Sequence, residues 1–426
     1  MRWLLPSLLL LAALPAAGAP GVGTEAGAVV APAVGPAAPR PASEEDDRKL
    51  EEEIARELGG GKGAPAASAG GAATPPQAAP EPTQVQGTAG GNPLARLLML
   101  PDVSAVGDFA GAYDTMNVGH FSPRSGPYGA PHELTPIFQE LELGLQSVID
   151  PYARADIFIA FVPGGVNVEE AYLTTLTLPA GLQVRAGKFF SPFGRLNQQH
   201  PHVWDFVDAP LAMDRLLSVD QLQGPGVDVA WLAPLPWYAE LHLVGQTTNP
   251  GFVTEDRRTL LARLQQYFDV ATGATVGLGV SAGRVEEPLA GASDELGGAD
   301  LFVKIRPPEA RSYLVVQGEL FARRLTGTPD AATRAGGYLQ AVYRDGPYRA
   351  FGLRAEAAPA VTPGTTDMPA GSGTEQRYGA LATWFPSEFQ RLRAQVAWDR
   401  LPGGHDGLEV LLHLEFVIGA HGAHPF

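Results

Sequence analysis

From about residue 102 to the C-terminus, the chain is built of segments that alternate apolar and polar side chains. Residues 139–146 read QELELGLQ, and residues 407–416 read GLEVLLHLEF. Successive side chains of a β-strand point to opposite faces, so each such segment has one apolar and one polar face. About ten residues is also the length that a tilted strand needs to cross a bilayer. The pattern therefore predicts a transmembrane β-barrel.

Sixteen segments fit this pattern and define a single antiparallel all-β barrel over residues 102–426. The predicted strands are 104–114, 137–149, 152–162, 166–178, 181–190, 225–233, 236–246, 259–268, 273–283, 297–306, 311–323, 334–344, 347–357, 375–385, 388–399 and 407–418. Alternate links are tight and most carry Pro or Gly, whereas the others are generally longer. Outer-membrane barrels have short periplasmic turns and long extracellular loops in this way.

Twelve aromatic residues flank the predicted short turns. They are Tyr152, Trp231, Trp237, Tyr238, Tyr267, Phe268, Tyr313, Tyr343, Tyr348, Trp384, Phe385 and Phe389. Aromatic rings prefer the level of the lipid headgroups, so the set predicts a girdle at one membrane surface. The alternative is a soluble β-sandwich or β-solenoid that buries these rings.

Polar residues that alternate with lipid-facing ones are expected to face the barrel lumen. The candidate pore-lining residues are Glu140, Glu142, Arg154, Asp156, Arg185, Lys304, Arg306, Arg391, Arg393, His413 and Glu415. Cross-strand pairing is expected between the two arginines of one strand and His413 and Glu415 of the next. The mixed charges predict a hydrated lumen that screens solutes by charge and size. Alternatively, these residues only solvate and brace the wall.

The link 191–224 is long and contains Trp, Phe and Leu, which argues against a loop that extends into solvent. We predict that it folds into the barrel mouth or lumen as a constriction; alternatively, it caps neighbouring loops or a subunit interface. The candidate constriction residues are Arg195, Asn197, His200, His202, Trp204, Asp205 and Asp208. His200 and His202 are also candidate ligands of a divalent metal, with Asp205 or Asp208 as partners, because imidazole and carboxylate suit zinc. No other cofactor is expected.

The region before the barrel has a different composition. Residues 1–19 have the charged start, apolar run and small residues of a signal peptide. Residues 20–101 are rich in Ala, Gly and Pro and predict a disordered periplasmic tail. Within it, residues 44–58 predict a short acidic helix, which either frays in water or forms a periplasmic coiled coil that helps protomers associate.

Composition narrows the classes of function. A formal net charge of −16 argues against nucleic acid as a partner. Residues 102–426 alone carry 23 Lys and Arg against 36 Asp and Glu, which favours cations in a pore. With no cysteine, the chain has neither disulfides nor thiol chemistry. No nucleophile motif stands out, so an enzyme is not expected.

Two stretches resemble a known family. Residues 168–172 (VEEAY) and 184–194 (VRAGKFFSPFG) resemble bacterial outer-membrane porins of the phosphate-selective type. This resemblance implies 16-stranded trimeric channels with periplasmic N-terminal helices. Residues 200–215 and the tail GAHGAHPF are similar to a proteobacterial group labelled zinc-regulated outer-membrane proteins. Phosphate channels rely on Arg ladders and Lys clusters, whereas residues 102–426 contain only Lys188 and Lys304, so anion specificity is not implied.

Together these features predict an outer-membrane porin for passive diffusion of small hydrophilic solutes or ions. Its expected partners are outer-membrane lipid, the barrel-assembly machinery, solutes, and further copies of the chain in a trimer. Two alternatives remain open: a receptor or accessory barrel linked to zinc uptake, and a plugged structural barrel.

Overall fold

In a computed structural model of the chain, the described residues are 101–115, 121–122, 126–127, 132–218, 220–248, 257–328, 331–361 and 373–419. They belong to one compact unit that spans residues 87–426. The predicted signal peptide 1–19, the acidic helix 44–58 and the tail up to residue 100 lie outside the described residues.

Sixteen antiparallel strands form a closed barrel, in which each strand pairs with its neighbours in sequence and the first pairs with the last. The strands are β1 Asp102–Asp114, β2 Thr135–Asp150, β3 Ala153–Val162, β4 Gly165–Thr175, β5 Leu182–Phe190, β6 Gln223–Leu232, β7 Tyr238–Thr248, β8 Arg257–Ala271, β9 Ala274–Val285, β10 Ser293–Ile305, β11 Tyr313–Thr326, β12 Ala332–Asp345, β13 Arg349–Pro359, β14 Thr374–Ser387, β15 Gln390–Leu401 and β16 His405–Gly419. The predicted closed, 16-stranded antiparallel barrel is confirmed, and every predicted segment overlaps its strand.

The few remaining elements are short. Two-residue strands, Phe121–Ser122 and Gly126–Pro127, pair within the link between β1 and β2. The link between β5 and β6 contains 3₁₀ turns at Leu196–Gln198 and Pro201–Val203 and a helix, α1, at Leu211–Leu216. Among the described residues, no helix is long and apolar enough to span a membrane.

The two faces of the barrel wall have opposite chemistry. On β13, Leu353 is 67% exposed, whereas the neighbouring Arg354 is only 3% exposed. The same alternation of exposed apolar and buried charged residues recurs around the barrel. A soluble protein would bury the leucines instead, so this inverted arrangement is the one expected when lipid covers the outer face.

The predicted aromatic girdle is only partly formed. Eight of the twelve residues are exposed, namely Tyr152, Trp231, Trp237, Tyr238, Tyr343, Tyr348, Trp384 and Phe389. Two others contact inward-facing arginines: Tyr267 accepts a hydrogen bond from Arg195, and Phe385 lies beneath the guanidinium of Arg344. Successive side chains of a strand face opposite sides of the wall, so some rings near the short turns face lipid and others face the lumen.

One predicted pore-lining residue lies beyond its strand. Arg306 was expected on the inner face of the strand 297–306, but β10 ends at Ile305 and Arg306 is exposed in the turn that follows. The next residues, Pro307 and Pro308, lack the backbone N–H that continued sheet pairing needs. Arg306 therefore lies at the end of the strand rather than within it, and its role in lining the pore stays a prediction.

Candidate functional site: a segment folded into the barrel

The link between β5 and β6 leaves the wall and returns to it, and hydrogen bonds hold its two ends together. We refer to residues 191–222 as the lumen segment. The amide nitrogen Nδ2 of Asn197 donates to the backbone oxygens of Ser191 (2.9 Å) and Leu222 (3.0 Å), and Asn197 Oδ1 accepts from Leu222 N (2.8 Å). One buried side chain thus joins the two ends of the lumen segment.

Carboxylates and amides of several strands accept backbone N–H groups of the lumen segment. Glu319 on β11 accepts from Arg195 N (2.7 Å) and Leu196 N (2.9 Å). Glu356 on β13 accepts from Leu211 N (2.7 Å), and Gln395 on β15 accepts from Val207 N (2.9 Å). Further contacts reach β2 and β4 through His200. Only a segment inside the barrel can touch strands on all sides, so the polar face is the inner face.

An apolar cluster joins the lumen segment to one side of the inner wall. From the segment it includes Phe193, Leu196, Trp204, Leu211, Met213 and Leu216. From the wall it includes Val244, Leu261, Leu296, Phe321 and Tyr338, on β7, β8, β10, β11 and β12. Burial of apolar surface stabilises the segment against this wall. The predicted placement of the link in the lumen, rather than over neighbouring loops, agrees with these contacts.

Next to the apolar cluster, on β13 to β15, the lumen segment is held by charged groups centred on Asp208. Its Oδ1 accepts from Arg354 on β13 and from Gln395 Nε2 (2.6 Å), and its Oδ2 accepts from Arg377 Nη1 on β14 (2.6 Å). Burial disfavours the charged carboxylate, but the guanidinium groups of Arg354 and Arg377 lower the pKa of Asp208 to about 2. Asp208 is therefore an anion over the ordinary pH range.

The helix α1 is anchored by a buried ion pair. Arg215 Nη1 donates to Glu375 Oε2 on β14 (2.6 Å) and to the backbone oxygen of Pro359 (2.9 Å). Burial raises the pKa of the neighbouring Asp214 well above its usual range, which favours the neutral acid. The pair fixes the C-terminal part of the lumen segment to β14.

The predicted constriction residues take different positions in this arrangement. Arg195 donates to Tyr267 Oη and stacks on Phe302, with 3.9 Å from its guanidinium carbon to the ring centre. The backbone oxygen of Trp204 accepts from Arg393 Nη1 on β15 (2.8 Å). Asp205 is adjacent, and burial raises the pKa of its carboxyl.

His200 and His202 come together with carboxylates of the wall. Glu142 Oε2 on β2 lies 2.7 Å from His200 Nδ1 and 3.5 Å from His202 Nδ1, and the three residues are buried. Burial favours the neutral imidazole, but the surrounding carboxylates raise the pKa of His200 well above its usual value. The predicted partner Asp208 is instead engaged by Arg354 and Arg377, so the histidines meet a wall carboxylate and not that loop carboxylate.

Arg391, Arg393, His413 and Glu415 meet across β15 and β16 as predicted from the pattern. Arg391 pairs in register with Glu415 and donates from Nε to its Oε2 (3.1 Å). Arg393 pairs with His413, with 3.1 Å between Nη2 and Nδ1. His413 Nε2 in turn lies 3.3 Å from Asp108 Oδ1 on β1.

Four other predicted wall residues lie nearer the end of the barrel that carries the short turns, namely Arg154, Asp156, Arg185 and Lys304. Arg154 and Asp156 pair along β3, with 2.9 Å from Nε to Oδ2, and Arg185 pairs with Asp228 at 3.1 Å. Lys304 lies over the ring of Tyr313. Glu140 is buried on β2.

The hydrated interior expected from the sequence is replaced by packing where the lumen segment lies. Glu142, Glu319 and Arg393 are each no more than 2% exposed. Charged groups in such an environment are retained by pairing and hydrogen bonding. The lumen segment therefore occupies part of the barrel interior that water would otherwise fill.

Several anchoring residues were absent from the sequence-based candidates, notably Arg215, Glu319, Glu356 and Glu375. Glu319 and Glu356 lie at inward positions of strands β11 and β13, so the alternation of apolar and polar residues could have identified both as inward-facing. For Arg215, within the link, no periodic signal existed.

No protein-family model matches the chain. An uncharacterized protein of Aquifex aeolicus (strain VF5) is 35% identical over 327 residues, which cover 67% of this chain and 69% of that protein. The chain belongs to the same family as this Aquifex protein.

The fold of the chain is similar to that of several solved structures. The high-pH structure of Pseudomonas putida OprB has a TM-score of 0.53 at 9% identity and covers 76% of this chain and 95% of that chain. The outer membrane channel DcaP of Acinetobacter baumannii has a TM-score of 0.52 at 15% identity, with 75% and 98% covered. An anion-selective porin from Comamonas acidovorans has a TM-score of 0.51 at 10% identity, with 75% and 99% covered. The fold is therefore that of outer-membrane porins, whereas membership of a phosphate-selective or zinc-regulated group stays a prediction.

Proposed function

We propose that this protein is an outer-membrane porin that allows passive diffusion of small hydrophilic solutes or ions. The observation that carries this proposal is the lumen segment, which is hydrogen-bonded to β11, β13 and β15 inside a closed barrel. A barrel that serves only as scaffold needs no such internal structure. A segment fixed on several sides narrows the lumen to a defined size and presents charged groups to solutes, as a selective channel requires.

The charges of the inner wall are unevenly distributed around the barrel. Carboxylates predominate on β16 and β1 to β4, namely Glu409, Glu415, Asp108, Asp114, Glu140, Glu142, Asp156 and Glu170. The strands β12 to β15 carry both signs, namely Arg344, Arg354, Arg377, Arg391 and Arg393 with the buried carboxylates Glu356, Glu375 and Asp399. The inner wall is thus most acidic on β16 and β1 to β4, and this uneven charge supports the proposed screening by charge and size.

One observation favours a second candidate, a plugged barrel. The wall residues that face the lumen segment are packed against it, and the apolar cluster around Phe193 and Leu211 closes one side of the lumen. Such a barrel conducts only when the segment moves. The two candidates differ in their conductance and not in their fold.

Reconstitution of the purified protein into planar bilayers separates them. A porin gives stepwise, voltage-independent openings in 1 M KCl, with a conductance that scales with salt concentration. A plugged barrel gives openings only after the lumen segment is loosened, for example by Asp208→Asn. A bilayer that stays silent with both proteins, although the barrel is inserted, contradicts the porin proposal.

The remaining features of the assembly are part of the same proposal. We infer an outer-membrane location with the short turns and the N-terminal tail in the periplasm, because the apolar outer face and the turn lengths suit that orientation. We also infer insertion by the barrel-assembly machinery and a trimeric state. Cross-linking in intact cells and native mass spectrometry test the oligomer; a monomer in both contradicts the trimer.

A further inference from the structure

We propose that Glu142, His200 and His202 form a binding site for one divalent transition-metal ion, with Glu169 beside them as a further oxygen donor. The three first-named residues are buried between the lumen segment and β2, and their ligand atoms all lie within 4.8 Å of one another. Two imidazoles with one or two carboxylates form a donor set that suits Zn²⁺. This site is separate from the proposed diffusion of solutes.

The spacing of the donor atoms matches the first coordination shell of a small metal ion. Glu142 Oε2 is 2.7 Å from His200 Nδ1 and 3.5 Å from His202 Nδ1, and Glu169 Oε2 is 3.1 Å from His200 Nδ1. Ligands bound at about 2.0–2.1 Å in a tetrahedral arrangement lie about 3.3 Å from one another. The cluster therefore needs only small side-chain adjustments to place its donors around an ion.

The second nitrogen of His200 is held as it is in many metal sites. His200 Nε2 lies 2.8 Å from Glu170 Oε2, and Glu170 Oε1 accepts the backbone N–H of Phe190 at 2.8 Å. A carboxylate at the outer nitrogen fixes the ring orientation of a metal-bound histidine and makes its other nitrogen a better donor. Glu170 thereby directs Nδ1 toward Glu142 and Glu169.

A β-bulge brings both neighbouring glutamates to this point. Phe158 on β3 pairs with Glu170, whereas Ile159 pairs with Val168, so Glu169 is an extra residue in β4. In a regular strand, residues 169 and 170 would face opposite sides of the wall. The bulge re-aims Glu169, and both carboxylates reach His200.

The charge balance of the cluster distinguishes it from the other carboxylates around the lumen segment. Asp208 and Glu375 are paired with guanidinium groups, which are permanently charged. The ion pairs described for Glu142, Glu169 and Glu170 are with imidazoles of His200 and His202. Glu142 and Glu170 are buried and Glu169 is partly buried, so carboxylates outnumber the imidazoles at this point, which suits a divalent cation.

An ion at this site would join three parts of the chain. Glu142 lies on β2, Glu169 on β4, and the two histidines lie in the lumen segment. Metal binding is thus expected to fasten the segment to β2 and β4, whereas the Asp208 contacts fasten it to β13, β14 and β15. Stabilisation by a ligand that binds only the folded state appears as a higher unfolding temperature.

The test uses the full-length protein in detergent with His421 and His424 replaced by Ala, so that the histidines of the C-terminal tail cannot bind metal. We expect isothermal titration with Zn²⁺ to give one site per chain, and Co²⁺ to give the visible absorption of a four- or five-coordinate centre. When Glu142→Gln or His202→Gln is introduced into this parent protein, Zn²⁺ binding is expected to weaken by at least about 100-fold.

The matched control is His242→Gln, because His242 is also an inner-face histidine between two carboxylates, Asp228 and Glu240. It should leave Zn²⁺ affinity and Co²⁺ absorption unchanged. Folding of each variant is checked by its heat-dependent mobility on gels. No site in the parent protein, or equal affinity in the Glu142 and His202 variants, overturns the proposal; because conductance is measured separately, neither result bears on the porin function.

Discussion

Asp208 shows how one buried carboxylate decides the position of a long link. It binds two arginines from adjacent strands, and its own backbone oxygen accepts from Arg354 Nη1 at 3.0 Å. Removing one partner from a network of buried charges leaves the remaining charges buried and unpaired. This lowers the free energy of unfolding far more than the loss of an exposed ion pair does. We therefore expect Asp208 to contribute more to stability than an exposed ion pair such as Asp345–Arg349.

We expect Asp208→Asn to lower the free energy of unfolding by about 3–5 kcal/mol, because Arg354 and Arg377 lose their shared counter-charge inside the barrel. Denaturant unfolding in lipid vesicles, followed by tryptophan fluorescence, measures the change. Asp345→Asn is the control, since the Asp345–Arg349 pair is exposed, and it should cost no more than about 1 kcal/mol. Equal effects of the two substitutions would show that Asp208 does not anchor the segment.

At the scale of elements, the lumen segment depends on how it leaves β5. Gly194 has a φ of +67°, and an added Cβ would lie 2.2 Å from Glu319 Oε2. That carboxylate cannot easily move, because it accepts hydrogen bonds from Arg195 N, Leu196 N and Tyr338 Oη. The turn at Gly194 thus needs both the left-handed backbone and the missing side chain.

We expect Gly194→Ala to destabilise the barrel by about 2–4 kcal/mol, of which about 1–2 kcal/mol comes from the backbone and the rest from the contact with Glu319. Channel recordings should also show more frequent transitions between conductance levels, because the start of the segment is loosened.

Gly346→Ala provides a matched control. Gly346 has nearly the same φ, +65°, but its added Cβ would meet nothing within 4 Å. It should cost only the backbone part, about 1–2 kcal/mol, and leave the recordings unchanged. If both variants unfold and conduct alike, the contact between Gly194 and Glu319 has no role in holding the segment.

At the scale of the whole molecule, the outer face is the part expected to contact lipid. Leu353 lies in the middle of β13 and is 67% exposed. Leu353→Arg should lower the free energy of unfolding in vesicles by about 2–4 kcal/mol, because a charge near the bilayer midplane loses its hydration. Leu289→Arg, in the link between β9 and β10, should have little effect although Leu289 is 50% exposed. A small loss for both variants would place lipid elsewhere.

The inner face of the whole barrel is expected to set its ion preference. The Arg154 side chain is 41% exposed near the short turns, so its charge reaches water in the lumen. Arg154→Gln should shift the zero-current potential in a KCl gradient toward cation selectivity, while Gln146 continues to donate to Asp156. Arg258→Gln is the control, because the Arg258 side chain is 82% exposed and lies on the outward face of β8. A similar shift for both would assign selectivity to surface charge in general.

The alternation along each strand is a local property, and together with the link lengths it indicated the number of strands, their antiparallel order and most of the residues that face inward. Glu140, Glu142, Arg391 and Glu415 are inward for this reason, because the period of two needs no knowledge of the rest of the chain. The length and apolar content of the link 191–224 also indicated that it enters the lumen.

Partnerships across the lumen were decided only by the tertiary structure. Glu142 precedes His200 by more than fifty residues, and the bulge that turns Glu169 inward is one extra residue in the pairing of β3 and β4. Asp208 meets Arg354 and Arg377 rather than the nearby histidines, because the closed barrel brings β13 and β14 to it. Such contacts depend on where a fixed wall places distant side chains, and no local pattern encodes that distance.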